Sequence, residues 1–424
     1  MYKYLKLSII LILFLLICFD RVAAEEILTW GGCIKEAAKN HPDLIAADQS
    51  IKQSEASKQQ TASSLFPQIT GNVGASTAKT AGKTGSSTAD TYSYGVTGTQ
   101  LLFDGIKTIN NVKAAAENIA AAKQGFKFTS TSVRFRLRTA FIDLLKVQEM
   151  LRITEDIYNI RRSNLELITL RYESGLEHKG ALLTAEADLA DAKYGISQAK
   201  REVEVAQREL VKEMGRTQLT PMRAKGDFEI KDAALVKPDF ETLAKNNPSL
   251  QQLIAQKRSA EFSLKSAYAN FSPQLTGSAG ANRTDTHWTP QGDQWNLGLS
   301  LTMPIFEGGL RIAQVSQAEA LVKQLQENQR STQDGVVLTL QQNWAVLQDT
   351  IENVSVQKKA LSATEERSKI AQAQYSIGLI NFDNWTIIED NLVKAKRTYL
   401  DSQAAALLAE AKWVQAKGET LEYE

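Results

Sequence analysis

The sequence predicts a mainly α protein with a small β part. Long coiled-coil helices are written twice in tandem, and one β-hairpin is set into each copy, two per chain. Three observations carry this. Motifs recur in the same order at nearly constant spacing, heptads run without proline for unusual lengths, and two Gly/Ser/Thr-rich stretches alternate with period two.

The repeat is explicit. Asn40-His41-Pro42-Asp43-Leu44 returns as Asn246-Asn247-Pro248-Ser249-Leu250, and Pro67-Gln68-Ile69-Thr70-Gly71 as Pro273-Gln274-Leu275-Thr276-Gly277, both 206 residues on. The spacing then settles at 203, taking Phe103-Asp104-Gly105 to Phe306-Glu307-Gly308 and Tyr172-Glu173-Ser174-Gly175-Leu176 to Tyr375-Ser376-Ile377-Gly378-Leu379. One length change in the loop between about Thr77 and Tyr92 accounts for the shift. The expected organisation is a first copy over 25–215, a linker over 216–238 marked by Pro221, Gly226 and Pro238, and a second copy over 239–424.

Residues 1–24 read as a secretory signal peptide. Lys3 and Lys6 precede an apolar run, Leu7 to Phe19, and Val22-Ala23-Ala24 offers small side chains for cleavage. Ile17 before Cys18 is bulky where lipidation needs a small residue, so no lipid anchor is expected. Cys33 is then the single cysteine of the mature chain and reads as buried and structural.

Within each copy a helix comes first, Ile34 to Ser64 and Phe240 to Asn270, ended before Pro67 and Pro273. The hairpins follow, about 67–103 and 273–306. Strands are expected over Gln68–Thr77, from Tyr92, over Gln274–Asn282 and over Trp295–Ile305, with polar loops at Ala78–Asp90 and Arg283–Asp293. Trp295, Leu297, Leu299, Leu301 and Met303 alternate with Asn296, Gly298, Ser300 and Thr302. Strands near ten residues, with an apolar outer face and Trp and Tyr at one end, suit a lipid-facing wall. A half-buried soluble strand alternates too.

Long helices follow, over 106–172 and 309–375. In the first, Val133, Leu137, Ala140, Leu144, Val147 and Leu151 continue in 4,3 spacing to Leu165, Ile168 and Tyr172. At 1.5 Å per residue such a helix is about 100 Å long. Turns at Gly175 and Gly378 lead into return helices over 176–214 and 381–417. There Leu182, Leu189, Ile196, Val203 and Leu210 form one seam, and Ala185, Ala192, Ala199 and Ala206 another that permits close helix approach.

Composition removes other classes. Among 424 residues, 49 Lys+Arg balance 48 Asp+Glu, a net charge of +1, so no basic excess serves a nucleic-acid partner. His41, His178 and His287 are scattered, which leaves no metal set. Asp188 with Asp191, and Glu389 with Asp390, read as solvated helix faces. No phosphate-binding glycine loop is present. No catalytic or cofactor-binding residue is expected, and any energy must come from a partner.

Four strands cannot close a barrel, and open sheet edges cannot sit in lipid. Membrane insertion therefore needs several chains, giving eight, twelve or sixteen strands with two, three or four copies. Twelve can enclose a pore lined by Gly, Ser, Thr and Asn.

The duplicated order of these motifs resembles the TolC-type outer-membrane efflux family over essentially the whole mature chain. The resemblance implies a homotrimer in the outer membrane, with a twelve-stranded transmembrane β-barrel and an α-helical barrel crossing the periplasm. It implies a passive exit duct for efflux or type I secretion, partnered by a periplasmic adaptor (membrane fusion protein) and an inner-membrane transporter of RND or ABC type. Adaptor docking would fall at the tips, Ser174, Gly175 and Leu176, and Ile377, Gly378 and Leu379. The family's acidic periplasmic constriction would fall at Asn384 and Ile387, with Asp383 adjacent, so carboxylates are replaced there. The competing expectations are a non-channel periplasmic coiled-coil structural or adhesive protein, and the adaptor of such a pump.

Overall fold

The computed structural model describes residues 25–82, 85–228 and 236–421. The signal-peptide reading of 1–24, including Cys18, lies outside the described residues, as does the middle of the expected linker. Two compact units are present. The first is built from the chain up to Leu44, Ser130–Lys237 and the chain from Leu340 onward; the second from Ile45–Thr129 and Pro238–Thr339.

The elements in chain order are β1 (Glu26–Leu28), α1 (Trp30–Asn40), α2 (Pro42–Ser63), β2 (Gln68–Gly82), β3 (Gly85–Phe103), α3 (Lys107–Glu173), α4 (Lys179–Met214), β4 (Met222–Ala224), α5 (Phe240–Lys245), α6 (Pro248–Ala269), β5 (Gln274–Asp285), β6 (Gly292–Thr302), α7 (Leu310–Ser376) and α8 (Phe382–Lys417). Both α3 and α7 have 67 residues, and both α4 and α8 have 36. α3 runs through Gly125 without interruption. No described helix is long and apolar enough to cross a membrane.

In the first unit the seams behave as heptads should. Val133, Leu137, Phe141 and Leu144 are buried along α3, and the alanine seam Ala185, Ala192, Ala199 and Ala206 is buried along α4. Small side chains let neighbouring helix backbones come close, so the alanines vanish from solvent, while in the other seam Leu182, Leu189, Ile196 and Val203 stay half-buried and only Leu210 is fully buried. Tryptophans fill wider gaps: Trp344 meets Trp413 with centroids 5.2 Å apart, and Trp30 meets Phe141 at 5.9 Å. α4 and α8 end on Gly215 and Gly418, both left-handed. At Gly215 the requirement is double, because a Cβ would lie 2.5 Å from the Asn40 carbonyl oxygen.

In the second unit the sheet has the order β2-β3-β5-β6, antiparallel throughout. Its register sorts the side chains. One face carries Ile69, Val73, Val96, Ala279, Ala281, Trp295, Leu297, Leu299 and Leu301, and the other carries Thr70, Asn72, Thr97, Ser278, Asn282 and Asn296.

Four expectations need correction. First, the helix expected over Ile34–Ser64 is two, α1 and α2, parted at His41, because a residue before proline disfavours helical backbone. Its counterpart is likewise parted at Asn246–Asn247 before Pro248. Second, Ala78–Asp90 is mostly strand. β2 and β3 pair as far as Gly82 and Gly85, and the Thr77 hydroxyl donates to Asp90 at 2.7 Å. Third, β6 ends at Thr302, which leaves Met303 outside the strand. The register would set Met303 against Pro273, and Pro304 follows, so the ladder runs out of N–H donors. Fourth, Glu389 is not on a solvated face: it is 6 % exposed and accepts a 2.5 Å hydrogen bond from the Ser368 hydroxyl. His41 meets a buried carboxylate, with Nε2 3.4 Å from Glu213 Oε2, a contact that the sequence did not single out. β1 and β4, which pair in parallel, had no sequence signal beyond three residues each.

Candidate functional site: helix-turn tips and a two-faced sheet

Each long helix stops in the same way. Gly175 N–H donates to the Tyr172 carbonyl and Leu176 N–H to that of Arg171; Gly378 and Leu379 repeat the pattern onto Tyr375 and Gln374. This double bond pattern needs a left-handed residue, and Gly175 and Gly378 have φ of 72° and 80°. Nothing lies within 4 Å of where a Cβ would sit on either glycine, so both turns present open surface. Ser174, Leu176, Ile377 and Leu379 are exposed around them. The return helices start on capping side chains: His178 Nδ1 accepts from Ala181 N–H, and Asn381 Oδ1 from Asn384 N–H. Asp383, Asn384 and Ile387 are exposed together in the first turns of α8.

Behind the tips lies an aromatic and ionic cluster that the sequence did not single out. Tyr375 stacks on Trp385 with centroids 4.4 Å apart and planes 10° from parallel. The Arg171 guanidinium sits 4.8 Å over the Tyr375 ring. The Tyr375 hydroxyl donates to Glu177 Oε2 at 2.7 Å, so the turn after α3 is tied to the end of α7. Burial, helped by that carboxylate, raises the Tyr375 phenol above its ordinary range, which keeps the donated proton in place. Ile168, Ala181, Ala185, Ala371 and Phe382 complete the buried cluster. Further along, Arg161 bridges Asp188, at 3.4 Å, and Asp390, so it also joins α3 to α8. Burial raises the Asp188 carboxyl despite this guanidinium.

The sheet offers the second set of residues. Trp295, Leu297, Leu299 and Leu301 are exposed on one face. Gly95 occupies a position where a Cβ would collide with Asn282, so the polar face is close-packed across β3 and β5. Among the described residues no cluster of His, Cys, Asp and Glu suits a metal ion.

Two tandem long-helix hairpins, each following a β-hairpin whose faces are sorted into apolar and small-polar, mark an outer-membrane channel protein. A family model described as outer membrane efflux protein matches residues 33–216 and again 240–419. The chain belongs to the outer membrane efflux protein family. It is an outer-membrane component of an efflux system with a periplasmic extension, and the family is one of exit channels.

Two relatives match along most of the chain. The outer membrane efflux protein BepC of Brucella suis is 22% identical over 402 residues, 92% of this chain and 86% of the relative. A probable outer membrane lipoprotein of Salmonella typhimurium, SilC, is 22% identical over 381 residues, 87% of this chain and 81% of the relative. Among solved structures, CusC superposes with a TM-score of 0.82 at 18% identity, over 91% of each chain. The Campylobacter jejuni CmeC outer membrane channel follows at 0.81 and 17%, over 91% of this chain and 84% of its own. These likenesses show the fold: mainly helical, with limited strands.

Proposed function

We propose that the chain is one of three identical staves of a passive exit duct serving a tripartite efflux or type I secretion system. The sheet supports this most directly. Among the described residues it has four strands, two free edges at β2 and β6, an apolar exposed face and a Gly/Ser/Thr/Asn face. Such a sheet is stable in lipid only when other copies pair its edges, and three copies give twelve strands around an aqueous lumen. In this reading Trp295, Leu297, Leu299 and Leu301 face lipid.

The organisation proposed with it is a signal peptide at 1–24 and two copies, 25–215 and 239–424, of one duplicated unit. The exposed turns at Ser174, Gly175, Leu176 and at Ile377, Gly378, Leu379 dock a periplasmic adaptor. Energy comes from an inner-membrane transporter of RND or ABC type. Asn384 and Ile387, with Asp383 beside them, line the periplasmic constriction, which is less attractive to cations than a carboxylate ring.

The test is fractionation and conductance. The full chain should appear in outer-membrane fractions as a heat-modifiable trimer and open steady channels in planar bilayers. Recovery as a monomer in the soluble periplasmic fraction would overturn the proposal in favour of a non-channel coiled coil.

A further inference from the structure

The apolar face of β6 is shorter than the membrane it is proposed to cross. Its exposed apolar residues run from Trp295 to Leu301, six residue steps. At about 3.3 Å per step that is about 20 Å along the strand. A tilt of about 40° leaves about 15 Å along the normal, against an apolar band of about 25 Å in outer-membrane barrels.

The alternation does not stop where the ladder stops. Met303 and Ile305 continue the same parity beyond the strand, and Phe306 follows. Ile305 is 96 % exposed and Phe306 88 %, the most exposed large apolar side chains described. Carried on to Ile305, the apolar run has ten steps, about 33 Å along the chain and about 25 Å along the normal. Ion pairs bracket this run: Arg283 with Asp293 at 2.5 Å on one side, and Glu307 with Arg311 at 2.6 Å on the other. The other strand ends match it. Phe66 precedes β2, Phe103 closes β3 and Phe271 precedes β5, all exposed at the same end of the sheet. Aromatic side chains concentrate where acyl chains give way to headgroups.

We infer that the segment Met303–Phe306, though outside the sheet, is a lipid-contact surface. It completes the apolar belt against the inner leaflet of the outer membrane, with Phe66, Phe103, Phe271 and Phe306 as its girdle. The inference rests on reading the sheet as a membrane wall, and it moves the membrane boundary past the last strand residue to Glu307.

The experiment uses the full-length chain with Cys18→Ala and Cys33→Ala, reconstituted in phosphatidylcholine vesicles. Single labelling sites are introduced by Ile305→Cys, Leu297→Cys and Lys358→Cys and carry an environment-sensitive fluorophore. Only variants that keep heat-modifiable trimer migration are read, and Phe306→Cys replaces Ile305→Cys if the latter does not assemble. Lipids carry a nitroxide either mid-chain or near the headgroup, and iodide is the aqueous quencher. The expected result is strong quenching at 297 by the mid-chain nitroxide, strong quenching at 305 by the shallow one, and quenching at 358 by iodide alone. If 297 is quenched by lipid and 305 responds only to iodide, or to neither quencher because a neighbouring copy covers it, the inference is overturned while the membrane wall stands. If neither 297 nor 305 responds to lipid, the membrane wall itself falls.

Discussion

Tyr375→Phe removes one oxygen and leaves the ring. The stack on Trp385, 4.4 Å between centroids, survives, while the 2.7 Å hydrogen bond to Glu177 is lost. A hydrogen bond to a charged acceptor contributes about 1.5–3 kcal/mol. This one is partly exposed, and Glu177 keeps Arg171 at 4.0 Å, so a loss of about 1–2 kcal/mol is expected. That raises the opened fraction of the tip about five- to thirtyfold. Amide exchange reads it directly, because the Leu176 and Leu379 amides are each held at 2.8 Å to a carbonyl of the preceding helix. Both should exchange faster in the variant, while amides in the middle of α4 keep their rates. Glu177→Gln should add little on top, since the two side chains form one interaction. Unchanged exchange at both tips, or full additivity of the two substitutions, would refute the claim that this bond ties the first turn to the second hairpin.

Four further outcomes follow from the geometry. Gly215→Ala meets the Asn40 carbonyl oxygen at 2.5 Å and should lower thermal stability well beyond Gly378→Ala, which pays only the left-handed backbone cost of about 1–2 kcal/mol. Glu26 is held below its ordinary value by hydrogen bonds from Arg216; its contribution is therefore complete above the unfolded carboxyl value and lost as pH falls through the folded one, and a pH series of melting curves should show Arg216→Ala flattening that acid limb. Burial pushes the Cys33 thiol up to about 12, so a thiol reagent at pH 8 should label Cys33 only after denaturation, as read by peptide mass mapping. Asn384→Asp should raise cation over anion permeability in bilayer recordings, since it places carboxylates at the proposed constriction; unchanged selectivity would remove Asn384 from the pore.

The long helices were legible because their signal is cumulative. Each heptad position adds weakly, and no proline interrupts 67 residues. The strands were legible where large apolar residues alternate with small ones, as at Trp295–Leu301. They were not legible at Ala78–Asp90, where Ala, Ser, Thr and Gly give neither face a hydrophobic mark and only the cross-strand register reveals the ladder. The tips were readable from glycine, but the cluster behind them was not. Arg171, Glu177, Tyr375 and Trp385 are brought together by two separate helix hairpins, and no spacing along one helix encodes that meeting. Glu389 failed for a related reason: its hydrogen-bond partner in the buried setting, Ser368, lies on another helix.

The free edges of the sheet have a consequence for how the channel comes into being. In the proposed assembly a lone copy has no resting place in lipid, because β2 and β6 each leave one row of backbone groups without a strand partner among the described residues. Chains must therefore meet before, or while, their strands enter the bilayer, and the rate of channel formation should climb more steeply than in proportion to the number of chains. It also makes the ring vulnerable to a single bad member. A copy whose β6 is blocked, for instance by Leu299→Pro, still offers a sound β2 to one neighbour yet cannot accept the other. Expressed beside the normal chain, it would cap growing rings and act as a dominant poison.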